Sequence, residues 1–244
     1  MTSSPKADWL APTGLIALSI IPITAGIVRL IALGGGAEIT PENARFFAAP
    51  LPMSFHLVGS VVFCVLGAFQ FSPGFRRRKP YWHRAAGRVL VPCGIVAALT
   101  GVWMTHFHPP ASFIGSLPAN YDGPSLYVIR LLAGLAMASS LCLGIAAILR
   151  RDIPSHQAWM IRGYALGLGA GTQVFTHLPW FLFPSIRGQL ARALCMAAGW
   201  GINAVVAEWI IARASQAPEV ALSVDEGAVL ASETRTRRAQ HRCS

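Results

Sequence analysis

The sequence predicts an all-α integral membrane bundle of six transmembrane helices, N-in and C-in. Six long apolar runs divide the 244 residues. Each run holds about 19–26 residues, and a helix needs about 20 to cross the hydrocarbon core. Nearly all the positive charge falls in every second gap between runs. Hydrophobic residues make up 54% of the chain and the mean hydropathy is +0.51, far from the average of a soluble domain.

The elements follow in order. Residues 1–11 form a short cytoplasmic N-terminus, and the first span covers 12–33. It is longer than the apolar region of a secretory signal, and no small-x-small cleavage site closes it before Gly34-Gly35-Gly36. It therefore reads as a retained helix. Spans two to six cover 53–73, 89–107, 126–149, 158–183 and 191–212. Proline punctuates the loops 35–52 and 108–125, both placed outside the cytoplasm. Pro22 and Pro92 are candidate kinks, but broken helices of the transporter kind are not evident. Span five carries Gly163-x-x-x-Gly167-x-x-x-Gly171, a double small-residue motif that permits close helix contact, so this helix is expected to be central. Residues 12–213 form the membrane domain, and 214–244 lose the apolar pattern and read as a disordered cytoplasmic tail.

Orientation follows from the basic residues. Fifteen of the 20 Lys and Arg lie on one side, including Arg76, Arg77, Arg78, Lys79, Arg84, Arg88, Arg150 and Arg151. That side is expected to be cytoplasmic. The same count disposes of a nucleic-acid partner: topology explains the net charge of +10, and anionic lipid headgroups are its ordinary partners. Of the five cysteines, Cys64, Cys93, Cys142 and Cys195 lie inside spans and none forms a C-x-x-C. They read as small apolar residues. Phosphate loops, H-E-x-x-H and a nucleophile elbow are absent from the sequence, and the ten acidic residues argue against paired-carboxylate hydrolysis.

Three polar signatures break the apolar pattern. The first is His83-Arg84-x-x-Gly87-Arg88, and the second is His156-x-x-Trp159-Met160-x-Arg162. The third, Asn203-x-x-x-x-Glu208, lies inside span six. With His56 near the outer start of span two, these motifs resemble the bacterial membrane proteins grouped as domain of unknown function 2306, over roughly 53–212. The resemblance implies a multi-pass protein of the bacterial inner (plasma) membrane. A looser resemblance, in layout alone, is to diheme b-type cytochromes, whose histidines on adjacent helices hold haem near both faces.

The histidines invite that comparison. His56, His106, His108 and His177 come out near the outer face, His83 and His156 near the inner one; His241 lies in the tail. Residues 83 and 106 are about 34 Å apart along a helix, and 156 and 177 about 31 Å. Two haems so far apart would exchange electrons poorly, which leaves one outer haem b. In that reading His56 and His177 ligate the iron, with His106 nearby and Arg130 meeting a propionate. Gln70 shares a face with His56, and Gln173 shares one with His177, suggesting a polar seam between spans two and five that would line a haem or quinone pocket or supply interhelical hydrogen bonds.

The blander readings stand beside these. His83 and His156, among Arg84, Arg88, Arg151 and Arg162, fit a cationic lattice near lipid phosphate. Arg29 and Arg130 fit snorkelling outward. Glu208 fits an ion pair with Arg162 or Arg88. Three functions remain open on sequence alone. One is a haem-binding redox protein exchanging electrons with quinone or another redox protein. Another is a non-catalytic transporter, sensor or assembly partner. The third is a divalent-metal site on the outer histidines.

Overall fold

A computed structural model describes residues 5–40, 43–107 and 123–240. Side chains are described for all of these except 5–8, 45 and 217–240. Helix α1 (Pro5–Gly34) is apolar all round, as a helix facing lipid on one side and protein on the other must be. It ends where Gly36 takes a φ of +67°, a left-handed conformation glycine adopts without strain. A short α2 (Ala44–Ala48) leads into α3 (Pro50–Gln70), with Pro50 pre-setting the first turn. The Ser72 side chain then accepts from the Phe75 N–H at 3.2 Å and caps α4 (Pro73–Arg78). Phe75 packs on Trp82 and Phe69, and Phe69 on Trp9, so α4 is pinned by an aromatic group and carries Arg76, Arg77 and Arg78.

Helix α5 (Pro80–Phe107) begins nine residues before the expected span, so His83, Arg84 and Arg88 are helical. Helix α6 (Pro124–Leu149) ends in a tight turn with Arg151 at φ 62°. Asp152 caps the next helix by accepting from the Ser155 N–H at 3.1 Å, and the Ser155 side chain, together with that N–H, holds its carboxyl below the usual range.

The expected fifth span is the main departure. Residues 153–182 form α7 (Ile153–Gly167), α8 (Gly169–Thr176) and α9 (Leu178–Leu182), interrupted at Leu168 and His177, where ψ is −4° and −7°. Each interruption is a single residue pushed toward the bridge region. A 3₁₀ turn (Pro184–Ile186) follows, then α10 (Gln189–Gln240). Helices α1, α3, α5, α6 and α10 contain stretches long and apolar enough to cross a membrane: Trp9–Gly34, Pro50–Gln70, Pro80–Phe107, Pro124–Leu149 and Gln189–Gln216. Helical backbone continues past the end of the apolar pattern to Gln240, through the segment read as a tail.

The described chain divides into two compact units, Met1–Ala204 and Val205–Ser244. In the first, α3 packs along α5, α5 on α6, and α6 on α7, while α1 covers α3 and α8. The core lies where α3, α5, α6 and α7 meet, around Phe63, Leu90, Leu141 and Tyr164. Many large apolar side chains, Ile21 and Leu132 among them, instead face outward, as lipid contact requires. In the second unit Arg213 lies over the Trp209 ring at 4.0 Å.

Candidate functional site

Glycine shapes the middle of the bundle. The Phe63 ring sits between Gly94 of α5 and Gly167 of α7, where added Cβ atoms would fall 2.5 and 2.6 Å from its carbons. Gly163 makes room for Leu141, and Gly171 for the Leu18 backbone of α1. The three glycines of span five thus serve three different neighbours, and the helix is central as expected.

The interruption at Leu168 leaves four carbonyls at the end of α7 to be satisfied. Tyr164 O accepts from the Leu168 N–H at 2.9 Å. Ala165 O accepts from Asn203 Nδ2 at 2.9 Å, and Leu166 O from Trp200 Nε1 at 3.2 Å. Gly167 O lies 3.9 Å from the Cys64 thiol. Helix α8 answers in kind: Gln173 Nε2 donates to Met196 O, the Thr176 hydroxyl to Cys195 O, and the Thr172 hydroxyl to Asn203 Oδ1. Asn203 is thereby explained as a structural clamp. Trp200, Thr172 and Thr176 were not singled out from sequence, although hydroxyls and an indole inside apolar runs are a signal for such bonding.

A cavity of about 440 Å³ opens beside this interruption. Its walls come from α1, α2, α3, α5, α6, α7, α8 and α10, within the first unit. Most of the described lining is apolar, with His56, Arg130 and Gln173 as its large polar members; among the described residues no Asp or Glu lines it. That volume is in the range of small-molecule sites.

His56 Nδ1 lies 2.7 Å from Ala97 O. A carbonyl only accepts, so Nδ1 carries the proton and Nε2 is the lone-pair nitrogen of the neutral ring. Nδ1 likewise carries a proton in His177, 2.8 Å from Gln173 O, and in His156, 2.8 Å from Gly144 O. His106 Nδ1 pairs with the Tyr127 hydroxyl at 2.8 Å. His83 Nδ1 is buried with no hydrogen-bond partner among the described residues. Arg84 lies over the Tyr81 ring and Arg162 over that of Trp159, while Arg88 is exposed on α5. Glu208 belongs to the second unit. His108 and His241 lie outside the described residues.

These placements correct the seam and the haem. His56 turns to α5 and Gln173 to α10, while Gln70 Nε2 is buried without a partner among the described residues. His56 and Gln173 do line one cavity, but Gln70 and His177 do not, so the four residues form no continuous seam among the described residues. Haem held between His56 and His177 needs both imidazoles on one slot. His56 and Arg130 line the cavity, but His177 does not; its ring packs near Phe181. The residues present do not fit a bis-histidine haem, and a haem role is unsupported. Nor, among the described residues, do three His, Cys, Asp or Glu side chains gather to hold a metal. The divalent-metal reading therefore has no site among the described residues, and His108, one of its histidines, lies outside them.

Apolar helices, outward-facing aliphatic side chains and a polar-flecked inner cavity define an integral membrane helical bundle. Residues 53–211 match the family described as predicted membrane protein (DUF2306), and the chain belongs to that family. No curated protein and no solved structure matches the chain.

Proposed function

We propose that this protein binds one lipophilic small molecule inside the membrane, as a non-catalytic carrier or sensor. The observation that carries the reading is the cavity of about 440 Å³, apolar along most of its wall with His56, Arg130 and Gln173 in the lining. An apolar cavity with a few placed polar groups is the usual form of a small-molecule site. A quinone, as a ring with an apolar tail, belongs to the class that would enter.

The reading includes a topology. Residues 153–182 together exceed the length a crossing needs, so α7–α9 would cross as one segmented span and complete six, with the Arg-rich ends of α4 and α6 facing the cytoplasm of a bacterial cell.

Native mass spectrometry on protein extracted in mild detergent tests the binding. Wild type is expected to retain one small-molecule adduct. Ala133→Phe, which puts a ring into the cavity wall, is expected to lose it. Adducts retained equally by both proteins would place binding elsewhere and end the reading.

A further inference from the structure

Resting on the proposed cavity site, we infer that its ligand carries a neutral hydroxyl head, as an alcohol, phenol or quinol on an apolar body, and that His56 and Ser60 read that hydroxyl. Both residues stand on α3, four apart and so on one face of the helix, and both line the cavity. The Nδ1–Cε1 edge of the His56 ring lies against α5. Nδ1 donates to Ala97 O, and Cε1 stands 3.2 Å from where a Cβ on Gly101 would be. Nε2 lies beyond that edge and meets no donor among the described residues. Ser60 differs from Ser19 and Ser140, whose hydroxyls donate to the carbonyl four residues earlier. Its own hydroxyl has no hydrogen-bond partner among the described residues.

That pair fits a group that both gives and takes a hydrogen bond. With Nδ1 committed to Ala97 O, Nε2 of the neutral ring is an acceptor, while the Ser60 hydroxyl can donate into the cavity. A ligand hydroxyl answers both with one oxygen: its O–H goes to Nε2 and its lone pair takes the Ser60 proton. An ether, ketone or quinone presents acceptors only, which serve Ser60 and leave Nε2 opposite a lone pair. Protonating His56 would let it donate to a quinone instead, but that places a charge in a mostly apolar wall with no Asp or Glu among its described residues. The same cost disfavours an amine, which arrives as a cation.

The rest of the wall suits an apolar body. Further along α3 come Phe63 and Cys64, joined by Met137 of α6 and by Leu168. Other polar groups of the lining are already engaged. Gln173 Nε2 donates to Met196 O, the Thr105 hydroxyl to Gly101 O and that of Ser19 to Leu15 O, and Arg130 has a partner of its own. A buried acceptor left unmet costs more than a made hydrogen bond contributes, so a ligand that reaches Nε2 with an O–H is favoured over one of the same shape without it.

The test uses the full chain in nanodiscs of phosphatidylcholine, with empty nanodiscs as the partition blank and radiolabelled 4-nonylphenol as probe. Its methyl ether, 4-nonylanisole, competes in parallel with a short-tailed quinone and the matching quinol, the last kept reduced under nitrogen. Wild type is expected to bind the phenol and the quinol at least about fivefold tighter than the ether and the quinone, roughly the worth of one hydrogen bond. His56→Phe is expected to bring the phenol down to the level of the ether, with the ether unchanged. Ala97 O keeps a donor in that variant, the Thr100 hydroxyl at 3.2 Å. The wild-type ranking decides by itself if the variant does not fold. Equal affinities for all four compounds, or an ether or quinone that outcompetes the phenol, would overturn the hydroxyl head while leaving the cavity site intact. A preference for the phenol that survives in His56→Phe would overturn the role of His56. Binding of none of them above the blank would overturn the cavity site itself.

Discussion

Replacing Gly94 by Ala should destabilise the protein through one identifiable clash. The new Cβ would lie 2.5 and 2.6 Å from Phe63 Cε2 and Cδ2 and 2.8 Å from Leu141 Cδ1. Carbon atoms prefer separations of about 3.5–4.0 Å, so all three contacts are deeply repulsive. The ring has nowhere to retreat: Phe63 is 1% exposed, and the backbone at Gly167 stands against its other edge. Overpacking of a filled core costs about 1–3 kcal/mol, and a ring held from both sides puts this case near the top. Alanine recovers about 1 kcal/mol of helix propensity, leaving a net loss of about 2 kcal/mol. That corresponds to a fall in Tm of about 4–8 °C for a chain of this size. Gly87, on the same helix, has nothing within 4 Å of an added Cβ. Gly87→Ala is therefore the control, expected to be neutral or stabilising by up to about 1 kcal/mol. Thermal unfolding in detergent measures both, and Phe63→Leu closes a double-mutant cycle. Gly94→Ala should cost at least about 1 kcal/mol less when combined with Phe63→Leu, because residues in contact couple on that scale. If it matches Gly87→Ala, or costs the same with and without Phe63→Leu, the ring-between-glycines account is wrong.

Three further outcomes are expected. Asn203→Leu removes the donor to Ala165 O and the acceptor for Thr172; it should cost about 1–2 kcal/mol by thermal unfolding. Unchanged stability would mean water satisfies both groups. Arg151 holds a left-handed φ of 62°, so Arg151→Gly should stabilise by up to about 1 kcal/mol, and a loss would reveal a side-chain contact worth more than the strain. In a cysteine-free background, Ala37→Cys should react with an impermeant maleimide on intact cells, and Arg77→Cys only after permeabilisation. The reverse pattern would invert the topology proposed from the charge count.

Much of this fold is legible in the sequence because the bilayer sets a length and a composition. The runs 12–33, 126–149 and 191–212 fall inside α1, α6 and α10, and the run 53–73 overshoots α3 by three residues. Charged residues hid the early start of α5, since hydropathy reports the apolar part of a helix rather than its hydrogen bonding. The breaks in span five were invisible for a related reason: Leu168 is itself apolar, and the residues that satisfy the break lie on other helices, chiefly α10. Among site residues, His56 and Arg130 were found because a polar group among apolar neighbours stands out, and both line the cavity. Pairing His56 with His177 failed because shared depth does not fix rotation about the helix axis, and the His177 ring is turned to its own helix at Gln173 O. The glycines of span five could not be sorted from sequence between packing and access. The structure gives Gly163 to packing against Leu141, while Gly167 and Gly171 both pack and line the cavity.

The interruption and the cavity are best understood as one feature. An uninterrupted span would have been the cheaper way to cross hydrocarbon, since a helix satisfies its own backbone and a broken one requires donors from elsewhere. Here every carbonyl from Tyr164 to Gly167 has a donor, and three of those donors belong to the side chains of Asn203, Trp200 and Cys64. A break arising from loose packing would have no reason to meet an amide and an indole on the helix opposite. The residues just past it, Ala170, Gly171 and Gln173, form cavity wall, and so do Leu166, Gly167 and Leu168 at the break itself. Moving the helix path at Leu168 therefore does two things at once. It lets the Leu18 backbone of α1 approach Gly171, closing the bundle on one side, and it places Gln173 on the wall that also holds His56 and Arg130. The side-chain bonds to α10 hold that geometry in place, so the polar residues of the sixth span act on the binding site through the backbone of the fifth.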